Sequence, residues 1–242
     1  MGSVLNRVYS ILILTVFLLL NSCTTHLKAS KTLSEVKKSI FKIEVWVLPP
    51  SCDKEKGVCI PGEGKYELFS TGTGAWVHHK GRKVVLTAAH VCDIGGKIDI
   101  MKHMGAKIKI EAIDRINRVH STSQLKFNRR LDLCLLEIRD MKFKIPALKM
   151  SVKAPEYGER LYNIGAPLGV VDGEMVPVFE GFFFGNDTYH AHYSIPAIGG
   201  SSGSPIINIK GEVVGMIHSV HYRFHHISLS PRYNDLWNFL KR

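Results

Sequence analysis

The sequence predicts an all-β protein that ends in a single helix. Short segments rich in β-branched and aromatic residues recur along the chain, Gly and Pro residues separate them, and 21 of the 242 residues are glycine. Short strands at regular spacing with such turns are typical of sandwiches or paired barrels rather than of a parallel α/β sheet. The 45% hydrophobic content supports a sizeable core. The length fits one domain of about 200 residues with a short N-terminal extension.

The strands are predicted from runs of β-branched and aromatic residues bounded by turn residues. A His-Lys-Gly turn separates the second strand from the third, and a Lys-Gly turn joins the last two. The predicted strands are Ile40–Leu48, Gly74–His78, Lys83–Thr87, Lys107–Asp114, Asp132–Ile138, Arg160–Ile164, Met175–Phe184, Pro205–Ile209 and Glu212–His218.

Two short segments have helix signals. Ser34 can cap a short turn that runs to Lys38. For the terminal helix we expect Ser230 as the N-cap and Pro231 in the first turn. The apolar face of that helix is predicted to be Tyr233, Leu236, Trp237 and Leu240.

The first residues predict export. Arg7 precedes Val8–Leu20, a stretch without charge that is too short for a membrane span and suits the core of a signal peptide. The stretch ends in Leu-Asn-Ser-Cys, which resembles a bacterial lipobox with Cys23 as the lipidated cysteine. An ordinary secretory signal with an incidental cysteine, or an uncleaved anchor, is the alternative interpretation.

The lipobox resemblance implies an organisation in three parts. Residues 1–22 would be the signal peptide, residues 23–35 the lipidated N-terminus and a polar tether, and residues 36–242 the folded domain. Because threonine rather than aspartate follows Cys23, the resemblance also implies a periplasmic lipoprotein anchored in the outer membrane.

The charge pattern argues against nucleic-acid binding. The net charge is +11, but the basic residues are spread through the chain and separated by apolar residues at strand-like spacing. We therefore expect solvated strand faces, with attraction to anionic membranes or acidic substrates, and no nucleic-acid partner. No Cys or His run has zinc-like spacing, so no metal site is predicted.

Three segments contain candidate catalytic residues. His90 follows a buried strand end and two alanines, Asp132 places a carboxylate at the start of an apolar strand, and Ser202 lies among glycines. A buried carboxylate is costly unless it is hydrogen-bonded. Glycines around a serine permit a tight loop that exposes the hydroxyl and directs backbone N–H groups to one point.

Taken together, the three segments resemble the trypsin-like (chymotrypsin-fold) serine peptidases. Thr-Ala-Ala-His, then Asp-Leu-x-Leu-Leu, then Gly-x-Ser-Gly-x-Pro follow the order of that family, and Tyr162–Gly169 resembles its "IGxPxG" segment. The likeness extends to the protease domain of bacterial Deg-type periplasmic proteases and to glutamyl endopeptidases. It implies two antiparallel six-stranded β-barrels with the active site between them.

The resemblance also implies the chemistry. His90, Asp132 and Ser202 would form a catalytic triad for peptide-bond hydrolysis, and the backbone N–H groups of Gly200 and Ser202 would form the oxyanion hole. Ser202 is preferred to Ser201 and Ser204 because it alone has the Gly-x-Ser-Gly frame. No cofactor is implied, and proteins or peptides are the expected substrates. A lipid-anchored binding module on an inactive protease scaffold is the alternative.

Alignment with the family gives a neutral specificity pocket. Pro196, Ala197 and Val220 would line it, without a charge to pair with a buried Lys, Arg or Glu side chain. Glutamyl endopeptidases read glutamate with a threonine and a histidine, which match Ala197 and Ile217 here, while His218 lies one place away. We therefore expect a preference for an apolar, medium-sized residue.

Four cysteines remain after Cys23. Cys52 and Cys59 flank a polar turn, and export provides oxidising conditions, so we predict a disulfide between them. Cys92 and Cys134 each follow a proposed triad residue by two positions. They could be bonded beneath the triad or could be two buried thiols.

Overall fold

The computed structural model describes residues 29–53, 58–60, 62, 64–93, 96–139, 145–173 and 175–241. The proposed signal peptide and Cys23 fall within residues 1–28, outside the described residues. Within the described ranges, no helix is long and apolar enough to cross a membrane.

The described residues form fifteen strands and four short α-helices, with 3-10 helices at Lys37–Ser39 and Pro167–Gly169. The strands are β1 Ile40–Leu48, β2 Ser51–Asp53, β3 Val58–Ile60, β4 Glu67–His79, β5 Arg82–Ala88, β6 Lys107–Asp114, β7 Val119–Asn128, β8 Leu133–Ile138, β9 Arg160–Ile164, β10 Val178–Asn186, β11 His190–Tyr193, β12 Pro205–Ile207, β13 Val213–Met216, β14 Ser219–His221 and β15 Phe224–Pro231. The helices are α1 over residues 29–36, α2 Ala89–Cys92, α3 Ile98–His103 and α4 Tyr233–Lys241.

The N-terminal half forms a closed antiparallel barrel. Its six strands follow the order β1-β4-β5-β8-β7-β6. Residues 133–136 of β8 are all buried, and Phe41, Ile43 and Leu86 fill the interior beside them. Burying each such side chain contributes roughly 1.5–3 kcal/mol, so this barrel is a firm support for residues at its rim.

The C-terminal half forms a seven-stranded sheet with the order β13-β12-β9-β10-β11-β15-β14. Its two edge strands are consecutive in the chain, with only Ile217 and His218 between them. The sheet therefore curls until β13 and β14 meet as one interrupted strand, which makes six strands around a second barrel-like unit. This arrangement confirms the predicted all-β, chymotrypsin-like class with a C-terminal helix.

Several elements were missed or misplaced by the sequence prediction. The strands β2, β3, β7, β11, β14 and β15 were not predicted. The residues of β7 are mostly exposed or half-buried, so their sequence lacks the apolar alternation of a core strand. Ser34 lies inside α1, rather than capping a turn.

The prediction that Ser230 caps the terminal helix is wrong. Ser230 belongs to β15, and its hydroxyl accepts the Met216 N–H and donates to the Pro231 carbonyl. The first helical hydrogen bond of α4 instead runs from the Leu236 N–H to the Arg232 carbonyl, at 3.1 Å. Serine serves both as a helix N-cap and as a buried bridge between strands, so its residue type alone does not distinguish the two roles.

Candidate active site

His90 lies in the first turn after β5. The chain leaves the strand at Ala88 and enters α2 at Ala89, and both alanines are buried. Their small side chains let α2 pack directly against the barrel rim, while the His90 side chain stays 41% exposed. The imidazole is thus fixed at its base and open to solvent at its tip.

Asp132 lies in the turn immediately before β8, and not in the strand as predicted. Its φ of 54° is a left-handed conformation that is uncommon for a residue with a side chain. In this conformation its carbonyl accepts the Ala89 N–H at 3.1 Å. The backbone of the turn is therefore tied to the segment that carries His90, and the carboxylate faces that residue.

The Asp132 carboxylate binds His90 through both oxygens. Oδ1 accepts the His90 backbone N–H at 2.8 Å, and Oδ2 lies 2.6 Å from His90 Nδ1. Because a carboxylate can only accept, Nδ1 carries the proton and Nε2 is left with its lone pair. This is the tautomer that a general base beside a serine requires.

A second imidazole, which sequence analysis considered only as a substrate-reading residue, also reaches the carboxylate. His218 Nδ1 lies 3.4 Å from Asp132 Oδ2. Burial raises the pKa of Asp132, but hydrogen bonds from His218 and His90 outweigh burial and lower this pKa to about 2. Asp132 is therefore charged at neutral pH. No sequence pattern signals His218, because the contact joins the second unit to the first barrel.

The loop that carries Ser202 depends on two glycines. Gly200 has φ 90° and Gly203 has φ 91°. A Cβ on Gly200 would lie 2.6 Å from the Ala166 carbonyl oxygen, and one on Gly203 would collide with the Thr73 carbonyl oxygen. Only glycine combines this backbone conformation with such close approach.

Strand β4 of the first barrel holds this loop in place. The Thr73 N–H donates to the Ser202 carbonyl at 2.8 Å, and the Thr73 hydroxyl donates to the Gly200 carbonyl at 2.7 Å. The loop therefore lies across the junction of the two units. Within the described residues the Ser202 hydroxyl makes no hydrogen bond, including none to His90. Such contacts are often long in the absence of substrate.

The two N–H groups predicted for the oxyanion hole are free of partners within the described residues. Neighbouring N–H groups are used: Ser201 donates to Ile198 at 2.9 Å, and Gly203 donates to Ile217 at 2.7 Å. Gly200 and Ser202 have no such acceptor. Two unpaired donors on either side of one residue are what an oxyanion requires.

The other two serines of the loop serve the structure. Both Ser201 and Ser204 are buried. The Ser201 hydroxyl accepts the Ile198 N–H, and the Ser204 hydroxyl donates to the Ser201 carbonyl at 2.6 Å and accepts from Asn163 at 2.7 Å. Ser202 alone is partly exposed, which agrees with its choice as nucleophile.

Two of the three predicted specificity residues belong to one apolar cluster. Ala197 is buried in one hydrophobic cluster with Ile217, and Val220 packs against that cluster, while Pro196 is half-buried. Ser228 pairs with Val220 across β14 and β15, and its buried hydroxyl has no partner among the described residues. Ser228 is not among the predicted site residues because no strand was predicted at β15.

Both cysteine pairs are bonded. The Cys52–Cys59 disulfide joins β2 to β3, which confirms the predicted bond. The Cys92–Cys134 disulfide joins α2 to β8, which selects the bonded alternative. Each sulfur of this second bond lies two residues from His90 or Asp132, so the bond ties together the two segments that carry them.

No group of three or more His, Cys, Asp or Glu residues within the described ranges is arranged to hold a metal ion. The chemistry available at this site is that of an oriented imidazole, a charged carboxylate, a serine hydroxyl and two free N–H donors. These groups define a serine-hydrolase type of site at the junction of two β units.

Comparison with known proteins identifies the family. The trypsin-like peptidase domain matches residues 72–216, more than half of the chain, so the chain belongs to the trypsin-like serine peptidases. The crystal structure of the serine endoprotease from Yersinia pestis has the same fold, with a TM-score of 0.63 at 15% identity. The match covers 87% of this chain and 64% of the Yersinia chain. No curated protein matches.

Proposed function

We propose that this protein is a serine endopeptidase that hydrolyses peptide bonds of exported proteins through an acyl-enzyme. The observation that carries the proposal is the Asp132 carboxylate, which accepts both the backbone N–H and the ring N–H of His90. A Ser202 loop with two unpaired N–H donors completes the set of groups that the reaction needs.

The proposed reaction has two halves. Ser202 Oγ attacks the scissile carbonyl carbon while His90 Nε2 accepts the hydroxyl proton, and Asp132 stabilises the resulting imidazolium. The N–H groups of Gly200 and Ser202 bind the oxyanion. The C–N bond then breaks as His90 delivers the proton to the leaving amine. Water then attacks the acyl carbon while His90 accepts one of its protons; the bond from the acyl carbon to Ser202 Oγ breaks, His90 returns that proton to Oγ, and the acid product leaves.

The proposed substrate preference is a neutral side chain before the scissile bond. Ala197 and Val220 share an apolar cluster. Among the described members of that cluster, a buried Lys, Arg or Glu would find no counter-charge. Leaving a charge buried without a partner is costly, so the pocket is expected to reject all three. Profiling of a peptide library with the wild type and Ser202→Ala in parallel tests this preference. Dominant cleavage after a basic residue would contradict it.

The proposed location is the periplasmic face of the bacterial outer membrane, through a lipid on Cys23. The support is the uncharged stretch Val8–Leu20 and the lipobox-like residues that end it. Mass spectrometry of the mature N-terminus tests this location. A lipid-modified Cys23 at the mature N-terminus supports the anchor, and an unmodified terminus elsewhere contradicts it.

The endopeptidase proposal is tested separately from location by cleavage of unfolded protein substrates in vitro. We expect internal cleavage by the wild type and none by Ser202→Ala. A folded wild type that binds such substrates without cutting them would instead favour a binding module on an inactive scaffold.

A further inference from the structure

His218 occupies the point where the second unit meets the first barrel. It lies between β13 and β14, and its backbone N–H donates to the Leu229 carbonyl of β15 at 3.0 Å. Its side chain is only 12% exposed. The interruption of the strand at this position therefore directs a mostly buried imidazole towards the neighbouring barrel.

Within the part of the chain that the structure describes, the Asp132 carboxylate has three nitrogen partners. Oδ1 accepts the His90 backbone N–H, while Oδ2 faces both His90 Nδ1 at 2.6 Å and His218 Nδ1 at 3.4 Å. Two imidazoles thus share one carboxylate oxygen. The first two of these contacts come from a single residue, His90. The third comes from another element and further restrains the carboxylate.

The far face of the His218 ring is also held. The ring stacks on His190 of β11, with the centroids 5.2 Å apart and the planes 27° apart. His190 in turn has Asp187 at 3.8 Å, and Asp187 accepts from His192 at 2.8 Å. The stack fixes the plane of the His218 ring, and so fixes the direction of its Nδ1.

The two ring nitrogens of His218 have different surroundings. Nδ1 faces the carboxylate, whereas Nε2 is buried without a partner among the described residues. A neutral ring protonated at Nδ1 donates to Asp132 and leaves no buried N–H unpaired. The charged and titratable groups around His218 are Asp132, His90 and His190, and Arg130, Arg232 and Asp235 line the same cavity of about 530 Å³.

We propose that His218 is a positioning residue that orients the catalytic carboxylate of Asp132 through its Nδ1–H. It acts through Asp132 and His90 and does not touch the reacting atoms. This inference rests on the proposed peptidase function. It assigns the role to one nitrogen of the ring, which makes it testable by side chains that carry a donor at one position only.

Three variants of His218 distinguish a hydrogen-bond donor at the Nδ1 position from one at the Nε2 position. His218→Asn places an amide N–H at the δ position, His218→Gln places it at the ε position, and His218→Leu has no donor. A hydrogen bond to a charged group contributes enough to change a rate about 10- to 100-fold. In the His218→Leu and His218→Gln variants, we expect kcat to fall by that factor and KM to stay nearly unchanged. In His218→Asn, we expect kcat to stay close to the wild-type value.

The proton between His90 and Asp132 provides a readout that needs no turnover. We expect its low-field NMR resonance to be shifted or broadened in the Leu and Gln variants and retained in the Asn variant. Thermal unfolding of each protein checks that it is folded. If His218→Leu does not fold, the comparison of His218→Asn with His218→Gln still tests whether the donor must be at the δ position.

Equal kcat and an unchanged resonance in Asn, Gln and Leu variants would overturn the proposal. A larger loss in Asn than in Gln would overturn it too, because the donor would then be at the wrong nitrogen. Failure of the proposed peptidase function is a separate result. In that case the wild type itself would show no turnover, and the NMR comparison would still test whether His218 orients Asp132.

Discussion

The two halves of the candidate site are built in different ways. The half on the first barrel is held by side chains and a covalent bond: the Asp132 carboxylate binds His90, and the Cys92–Cys134 disulfide joins their segments. The half on the second unit depends mainly on backbone conformation: two left-handed glycines shape its loop, and the N–H and hydroxyl of Thr73 bind the loop carbonyls. Acid–base groups thus need side-chain orientation, whereas an oxyanion site needs backbone N–H groups in a fixed loop.

The largest effect is expected when one reacting group is removed from either half. Ser202→Ala or His90→Ala alone should lower kcat by about 10⁵–10⁶, because the nucleophile and its base act as a unit. The double variant should be little worse than either single one. Steady-state kinetics with a peptide substrate measure this, and circular dichroism should show an unchanged fold. Additive losses would mean that the two halves do not work together.

The Ser202 loop on the second unit can be disrupted without removing any of its side chains. Gly200→Ala puts a Cβ 2.6 Å from the Ala166 carbonyl oxygen and strains a φ of 90°. We expect turnover to fall by roughly 10²–10³ through the oxyanion hole, and stability to fall by roughly 1–3 kcal/mol.

Gly199→Ala is the matched control for that substitution. A Cβ at this position has no atom within 4 Å, so we expect small effects on kcat and on stability. Urea unfolding and kinetics of both variants make the comparison. Equal activity in the two would contradict a role for the Gly200 backbone.

The Cys92–Cys134 disulfide of the first half can be compared with the Cys52–Cys59 disulfide, which joins β2 to β3. The two bonds span 42 and 7 residues of sequence. The chain-entropy model then gives about 4 kcal/mol for Cys92–Cys134 and about 2–3 kcal/mol for Cys52–Cys59. We expect replacement of either pair by alanine to lower stability in this order, and only loss of Cys92–Cys134 to lower kcat as well. Chemical unfolding and kinetics of the two double variants provide the measurement. If both double variants changed kcat equally, the Cys92–Cys134 disulfide would have no specific role in positioning His90 and Asp132.

The smallest expected effect is the contribution of the Asp132 charge to the stability of the protein. Burial raises the pKa of Asp132, but His218 and His90 lower it to about 2, below the value near 4 in unfolded chains. The charged carboxylate therefore favours folding by on the order of 2 kcal/mol above about pH 4, and this contribution disappears as the pH falls through about 2. We expect Asp132→Asn to be destabilising at neutral pH and nearly neutral at about pH 2.

Urea unfolding of wild type and Asp132→Asn across this pH range checks the expectation. Asp99→Asn is a control, since that carboxylate is 77% exposed. A difference between wild type and Asp132→Asn that does not change with pH would show that the charge makes no contribution.

Many features of both halves of the site could be predicted from the sequence because short local patterns determine them. The glycines around Ser202 indicated a tight loop, the alanines before His90 indicated close packing, and Cys52 and Cys59 flank a short turn. In each case the residues that act together are also neighbours in sequence. The strands rich in buried apolar residues, such as β1 and β8, were predicted for the same reason.

What the sequence did not reveal depends on distant parts of the chain meeting. The contact of His218 with Asp132 requires the strand interruption between β13 and β14 and the junction of both units. The strand β15 was missed because its serines and histidines do not resemble a core strand, although Ser228 and Ser230 are fully buried. Neighbouring strands, rather than its own residues, determine its place.

The central claim is that Ser202 is a nucleophile activated by His90. Incubation of the folded protein with a serine-directed fluorophosphonate, followed by peptide mapping, tests it most directly. We predict one adduct, located on Ser202, in the wild type and none in His90→Ala. An unlabelled wild type, an adduct on Ser201 or Ser204, or equal labelling of His90→Ala would contradict the account.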